Sequence, residues 1–149
     1  MVAEHAKHIT ELMPWDLEEK LIGNKPPIIL DIREAEEFNT MHIHNSINVP
    51  RGILESACDY NYSETIPELV KARDKEIVVV CRSGNRSVMA AFTMQQMGYT
   101  NVASLKTGLK GWNDYEQPLV EINNEKVNAD EAEIFLNPPI KPEQLSSQL

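Results

Sequence analysis

The segment EIVVV-CRSGNRS-VMAAFTMQQMGY, residues 76–99, places a short polar stretch between two apolar ones. Residues 77–80 are β-branched without interruption, which is typical of a parallel strand covered on both faces. Residues 87–97 are predicted to form a helix ending at Gly98, because glycine suits the left-handed position just past a helix end. The segment therefore predicts a strand, a tight turn and a helix, with the strand at the centre of a sheet.

Similar strand and helix patterns alternate along most of the chain. Strands are predicted in IILDI, SINVP and NVASL, at residues 28–32, 46–50 and 101–105. Helices are predicted in residues 13–22, after the strand at 28–32, around 67–72 and in 107–115. This alternation favours parallel βα units with right-handed crossovers, and so an α/β sandwich.

Composition limits the classes of function. A chain of 149 residues with 42% hydrophobic residues can form one domain without disulfides. A formal charge of -9 argues against general nucleic-acid binding, which needs clustered lysine and arginine. No apolar run approaches the roughly 20 residues of a membrane helix, and the start lacks a secretion signal. We expect a soluble, cytoplasmic protein in which Cys58 and Cys81 are reduced thiols.

The turn after the central strand concentrates reactive residue types. Ligands bind at the carboxyl edge of such sheets, where Cys81 is predicted to lie. Backbone amides in the turn and the helix N-terminus favour a bound anion and a nucleophilic thiolate. Arg82 and Arg86 supply donors for an oxyanion, and Gly84 permits positive φ. A cysteine that ends a strand is usually a core residue, but two arginines and a glycine so close to it favour a nucleophile.

Several motifs in order resemble the rhodanese family of sulfurtransferases. They are IILDIRE with EEF, HIHNSINVP, CRSGNRS and GLKGW, and the resemblance covers residues 9–119. It departs from the family pattern at Met41, where glycine is frequent, and at His44 and Asn45, where proline-glycine is frequent. Asn45 tolerates a left-handed conformation, so the turn is expected to be retained.

The resemblance implies a fold and a division of the chain. The fold is a three-layer α/β sandwich with a mainly parallel five-stranded sheet and helices on both faces. Residues 9–119 form the rhodanese-like domain, and residues 120–149 form an acidic, proline-containing extension. We expect this extension to be anchored by AEIFL, residues 132–136, and to be mobile elsewhere.

The resemblance also implies an activity. Cys81 would carry sulfane sulfur as a persulfide from thiosulfate or a persulfide donor to cyanide or a thiol acceptor. No metal or other cofactor is implied, and the partners are a small anionic donor and a thiol or protein acceptor. Thiosulfate or a persulfide is preferred to 3-mercaptopyruvate as the donor, because the loop is rich in arginine. The implied substrate-binding residues are Arg82, Ser83, Gly84, Asn85, Arg86 and Ser87.

Two other functions stay open. A small domain of this type can act as a sulfur carrier or interaction module, in which Cys81 performs the same chemistry for a partner protein. Cysteine-dependent phosphatases and arsenate reductases place five residues between cysteine and arginine. Here four residues separate Cys81 from Arg86, and Ser87 holds the phosphatase-arginine position, which disfavours that reading.

Other reactive side chains receive structural interpretations. The four histidines lack neighbouring ligands at metal-binding spacing. Arg33 is predicted to pair with Glu37 four residues on, and so is left out of the site. Cys58 is interpreted as an incidental thiol. Trp15 and Trp112 are interpreted as packing residues.

Overall fold

Five short strands form one parallel sheet in the computed structural model, which describes residues 1–146. The strands are β1 (Thr10–Leu12), β2 (Ile28–Asp31), β3 (Ile47–Asn48), β4 (Ile77–Val80) and β5 (Val102–Leu105). Their order is β1-β5-β4-β2-β3, and every neighbouring pair is parallel. The predicted central position of β4 is confirmed. The residue pattern missed β1, but the five strands implied by the resemblance are present.

Helices lie on both faces of the sheet. They are α1 (Val2–Ala6), α2 (Pro14–Leu21), α3 (Ala35–Thr40), α4 (Leu54–Ala57), α5 (Pro67–Val70), α6 (Asn85–Gln96), α7 (Gly108–Asp114) and α8 (Ala129–Phe135). Two 3-10 turns span Arg51–Ile53 and Pro142–Gln144. The α/β sandwich with helices on both faces is therefore confirmed.

The unbroken apolar sequence of β4 follows from this arrangement. Successive side chains of a strand point to opposite faces. Ile77 and Val79 belong to a core with residues of α4, α5 and α6, whereas Val78 and Val80 belong to a second core with residues of α2, α7 and α8. All four side chains are fully buried, so neither face of β4 tolerates polar residues.

Two predicted left-handed positions are confirmed. Gly98 follows α6 with φ 95°, and Asn45 in the loop before β3 has φ 67°. An asparagine therefore retains the turn where proline-glycine is frequent in the family.

The extension after Leu119 folds back onto the domain. Val120 exchanges two backbone hydrogen bonds with His42, at 2.8 and 2.9 Å. Ala132 and Leu136 are buried in the core beside α2 and α7, and residues 137–146 are exposed. The predicted anchor AEIFL is confirmed, but Val120 provides a second attachment that the sequence did not indicate. Residues 147–149 lie outside the described residues.

Among residues 1–146, each helix is too short or too polar to cross a bilayer.

Candidate active site

Cys81 lies directly after β4, at the carboxyl edge of the sheet. Cys81 is 1% exposed and packs in the core that includes residues of α6. Three residues later, Gly84 turns the chain into α6 with φ 95°. A Cβ at Gly84 would stand 3.0 Å from the backbone nitrogen of Thr107 and 3.2 Å from the carbonyl oxygen of Leu105. Both the positive φ and this close approach require glycine.

The sulfur of Cys81 is held by the turn. Gly84 donates its backbone N–H to Sγ at 3.1 Å, and Ser87 donates its own at 3.3 Å. Both donors belong to the first turn of the 12-residue helix α6 or to its N-cap, where the helix dipole is positive. Directed amides and a helix N-terminus stabilise negative charge on sulfur. Two directed N–H donors therefore hold Sγ at the positive end of α6.

A buried pair of hydroxyl groups extends this environment. Ser87 Oγ lies 3.3 Å from Cys81 Sγ and 2.7 Å from Ser104 Oγ. Both serines are fully buried. When Cys81 is a thiolate, Ser87 donates to Sγ and Ser104 donates to Ser87. Sequence reasoning missed Ser104, although a serine in the otherwise apolar segment VASL of β5 was the available signal.

Helix α7 fixes the backbone of the cysteine loop. Leu109 and Lys110 donate their N–H groups to the carbonyl oxygens of Cys81 and Arg82, both at 2.9 Å. Because peptide units are planar, these bonds orient the first two peptide planes of the loop. Gly108 has φ 60°, and a Cβ there would lie 2.5 Å from the carbonyl carbon of Arg82. The loop and α7 therefore pack too closely for any side chain at this position.

Arg86 forms its side-chain hydrogen bonds with Glu37. Its two terminal nitrogens donate to the two carboxylate oxygens of Glu37 at 3.1 and 3.2 Å. Burial raises the pKa of Glu37, but hydrogen bonds from Arg86 and from the Glu34 N–H, with nearby positive charge, lower it further, and the net pKa is below the ordinary value. The hydrogen bonds with Glu37 raise the pKa of Arg86. The pair ties the start of α6 to α3.

The predicted pairing of Arg33 with Glu37 is wrong. Arg33 binds Asp31 with Nε–Oδ1 and Nη2–Oδ2 distances of 3.0 and 2.9 Å, and both side chains are fully buried. Arg33 also donates to the carbonyl oxygen of Met41 at 2.6 Å. Arg33 follows the end of β2 and does not lie within a helix. Its side chain therefore reaches Asp31, two residues earlier, and not Glu37, four residues later.

The remaining loop residues line its outer side. Arg82 and Ser83 are half-buried, and Asn85 is exposed as the first residue of α6. Within residues 1–146, the side chains of these three residues form no hydrogen bond or ion pair. The structure thus brings Cys81, Gly84 and Ser87 together at the sulfur, and leaves Arg82 free beside them.

Cys58 is a buried core thiol. It is fully buried, and burial raises its pKa. The adjacent backbone is fixed by Arg73, which donates to the Cys58 carbonyl oxygen at 2.8 Å. Both cysteines are free thiols. No group of three or more potential metal-ligating side chains occurs within the described residues.

The fold and site define a class of protein: an α/β domain with a buried cysteine in an amide-lined loop between a central strand and a helix. The chain belongs to the family described as Rhodanese-like domain, whose sequence profile matches residues 14–115. Membership supports a sulfurtransferase type of reaction in general.

Individual relatives agree with this membership. The adenylyltransferase and sulfurtransferase of Candida albicans is 36% identical over 101 residues, which are 68% of this chain and 23% of that protein. A rhodanese-related protein of Thermoplasma volcanium has a TM-score of 0.60 and 29% identity, over 74% of this chain and 97% of the other. A protein of unknown function from Rhodopseudomonas palustris, titled "possible tyrosine phosphatase", has a TM-score of 0.70 and 31% identity, over 78% and 89% of the two chains.

Proposed function

We propose that this protein is a sulfurtransferase that moves sulfane sulfur from thiosulfate or a persulfide donor to cyanide or a thiol acceptor. The observation that carries the proposal is the pair of backbone amides, from Gly84 and Ser87, that meet Cys81 Sγ at the N-terminus of α6. Family membership supports the reaction type. The two free thiols favour a reducing, cytoplasmic location, which fractionation of cells expressing the full chain would test.

The proposed reaction has two displacement steps. The Cys81 thiolate attacks the outer sulfur of thiosulfate, a sulfur–sulfur bond forms, and the bond to the sulfonate sulfur breaks. The bonding electron pair leaves with sulfite, and Cys81 becomes a persulfide anion. Cyanide or an acceptor thiolate then attacks the outer persulfide sulfur, and the Cys81 thiolate leaves. The products are thiocyanate or a new persulfide, and no external oxidant or reductant is consumed.

The loop residues take different roles in this proposal. Arg82, whose side chain has no partner within residues 1–146, binds the departing sulfonate oxygens through charge-assisted hydrogen bonds. Arg86 acts through Glu37 by holding the start of α6. Ser87 donates to the thiolate that is regenerated at each turnover, and Ser104 positions the Ser87 hydroxyl.

Thiocyanate formation from thiosulfate and cyanide tests the proposal. Cys81→Ser removes the nucleophile at a site with little change in volume, so turnover should disappear while the fold is retained. Cys58→Ser is the matched control and should retain most activity, because Cys58 is a fully buried thiol whose pKa is raised by burial. Turnover by well-folded Cys81→Ser would contradict the covalent mechanism.

A sulfur carrier in a protein relay is the second candidate. It is supported by the Candida albicans relative, in which the matching region is about a quarter of a longer adenylyltransferase and sulfurtransferase. A carrier would load one sulfur on Cys81 and transfer it to a protein thiol while turning over cyanide slowly. The two candidates are separated by measuring the sulfur loaded on Cys81 and the steady-state rate of thiocyanate formation. Full loading with slow thiocyanate formation favours the carrier, and full loading with rapid formation favours the enzyme.

Phosphatase activity is disfavoured by the loop. Four residues separate Cys81 from Arg86, one fewer than in phosphatases, and the Arg86 guanidinium is bound to Glu37. We expect negligible hydrolysis of an aryl phosphate. Robust hydrolysis without persulfide formation from any donor would overturn the proposed function.

A further inference from the structure

The positive charge of this acidic protein is segregated around the cysteine loop. Residues 77–113 contain Arg82, Arg86, Lys106 and Lys110 but no aspartate or glutamate. All 23 acidic residues therefore lie outside this segment, together with the other ten of the 14 basic residues. A chain of net charge -9 thus has a locally cationic segment that includes Cys81.

The backbone around two of these cations, Lys106 and Lys110, packs against the loop that carries Arg82. Lys106 and Lys110 flank the stretch that packs on it: Lys110 donates its N–H to the Arg82 carbonyl oxygen at 2.9 Å. The backbone nitrogen of Thr107, next to Lys106, approaches within 3.0 Å of where a Gly84 Cβ would stand. The fourth cation, Arg86, is neutralised by Glu37. We name Arg82, Lys106 and Lys110 the basic surface.

The basic surface has no internal counter-charge. Among the described residues, no carboxylate forms an ion pair with Arg82, Lys106 or Lys110, and none of these side chains has a hydrogen bond. Lys106 and Lys110 are exposed, and Arg82 is half-buried. Neighbouring like charges repel one another, and this repulsion is relieved when an anionic partner binds.

The exposure of Lys106 and Lys110 favours a broad anionic partner at the basic surface. Small molecules bind in concave sites, but neither of two large cavities, of about 580 and 550 Å³, is lined by any residue of the cysteine loop. A long nucleic acid is disfavoured because the net charge of -9 repels a polyanion outside this surface. An acidic protein face needs only local complementarity.

We infer that the basic surface docks an acidic face of the protein that accepts sulfur from Cys81. This inference rests on the proposed function. In the transfer step, a cysteine thiolate of the acceptor attacks the outer sulfur of the Cys81 persulfide. The persulfide sulfur–sulfur bond breaks, the electron pair returns to Cys81 as thiolate, and the acceptor becomes the persulfide. Charge complementarity raises the encounter rate of this step.

Two synthetic thiol peptides test the inference. Each has a single cysteine, flanked by glutamates in one peptide and by glutamines in the other. With the full chain loaded from thiosulfate, sulfur transfer to the glutamate peptide should be about tenfold faster at low ionic strength, and added salt should reduce this ratio. Lys106→Gln/Lys110→Gln should lose most of the preference.

The matched control is Lys25→Gln/Lys126→Gln, which removes two exposed lysines outside the cationic segment. It should keep the preference. Equal losses in the two double variants, or no preference in the wild type, would overturn the inference. Stronger competition by an RNA oligonucleotide than by a cysteine-free glutamate peptide of equal charge would also overturn it, in favour of nucleic acid.

Binding of the labelled glutamate peptide to the unloaded protein separates this inference from the proposed function. If Cys81 never acquires sulfur but the peptide binds through Lys106 and Lys110, the docking surface stands and the sulfur-transfer proposal fails. If Cys81 loads normally and the peptide does not bind, the docking inference fails alone.

Discussion

Replacing Gly108 by alanine tests whether α7 holds the cysteine loop in its active shape. The new Cβ would stand 2.5 Å from the Arg82 carbonyl carbon and 2.6 Å from the carbonyl oxygens of Arg82 and Cys81. All three are backbone atoms of the loop, so relief of the clash requires the loop or α7 to move. The substitution should therefore impair both stability and sulfur transfer.

The magnitude follows from two separate costs. Alanine at φ 60° costs about 1–2 kcal/mol, because a Cβ is disfavoured in the left-handed region. Insertion of a methyl group into a tightly packed site costs about 1–3 kcal/mol more. Together they predict that Gly108→Ala lowers the free energy of unfolding by about 2–5 kcal/mol.

Two other glycines separate these costs. Gly98 has φ 95°, but a Cβ there meets nothing closer than 4.0 Å, so Gly98→Ala should show the conformational cost alone. Gly52 has neither positive φ nor a neighbour within 4 Å, so Gly52→Ala should change stability by less than about 0.5 kcal/mol. Urea unfolding measures all three variants.

The activity of folded Gly108→Ala provides the second readout. In buffer without urea, at a temperature where Gly108→Ala is folded, this variant should form the persulfide much more slowly than the wild type. Gly98→Ala should react like the wild type. The reasoning is refuted if Gly108→Ala loses no more stability than Gly98→Ala and forms the persulfide at the wild-type rate.

Three further predictions concern contacts that surround or support the site. Ser104→Ala removes the partner of the Ser87 hydroxyl and should slow persulfide formation from thiosulfate about fivefold, equivalent to about 1 kcal/mol. Samples quenched at successive times give this rate, and an unchanged rate would exclude a positioning role for Ser104. Leu136→Ala should lower the free energy of unfolding by about 2–5 kcal/mol, whereas the 77% exposed Ile134 should tolerate alanine; equal effects would show that the extension is not anchored as described. Because the pKa of Glu37 is lowered, its pairing with Arg86 should stabilise the fold above the ordinary carboxyl value of 4.5 and be lost as the pH falls through the lowered value. The free energies of unfolding of the wild type and Glu37→Gln, measured with urea, should thus differ by under about 1 kcal/mol at neutral pH and converge in acid. A difference that grows in acid would contradict the assignment.

The strand, turn and helix around Cys81 could be predicted because each depends on local chemistry. Burial on both faces dictates the β-branched run of β4, and Gly84 is the residue in the turn that adopts positive φ without strain. The strand β1 was missed since Thr10–Leu12 is three residues long and contains two polar ones. Its identity as a strand depends on pairing with β5, which is more than 90 residues away.

The contacts within the loop could be predicted for the same local reasons, whereas ion pairs between distant segments could not. Cys81, Gly84 and Ser87 are close in sequence and meet at the sulfur. The pairing of the Arg86 guanidinium with Glu37 depends on the placement of α3 relative to α6, because the two residues are 49 positions apart along the chain. No local pattern contains that information.

The mass of the intact protein after incubation with thiosulfate tests the central claim most directly. We predict a gain of about 32 Da, the mass of one sulfur atom, that is lost on addition of cyanide or dithiothreitol. The gain should persist in Cys58→Ser and be absent in Cys81→Ser. An unchanged mass with thiosulfate and with persulfide donors, or a gain retained in Cys81→Ser, would contradict the assignment of Cys81 as the sulfur-carrying nucleophile.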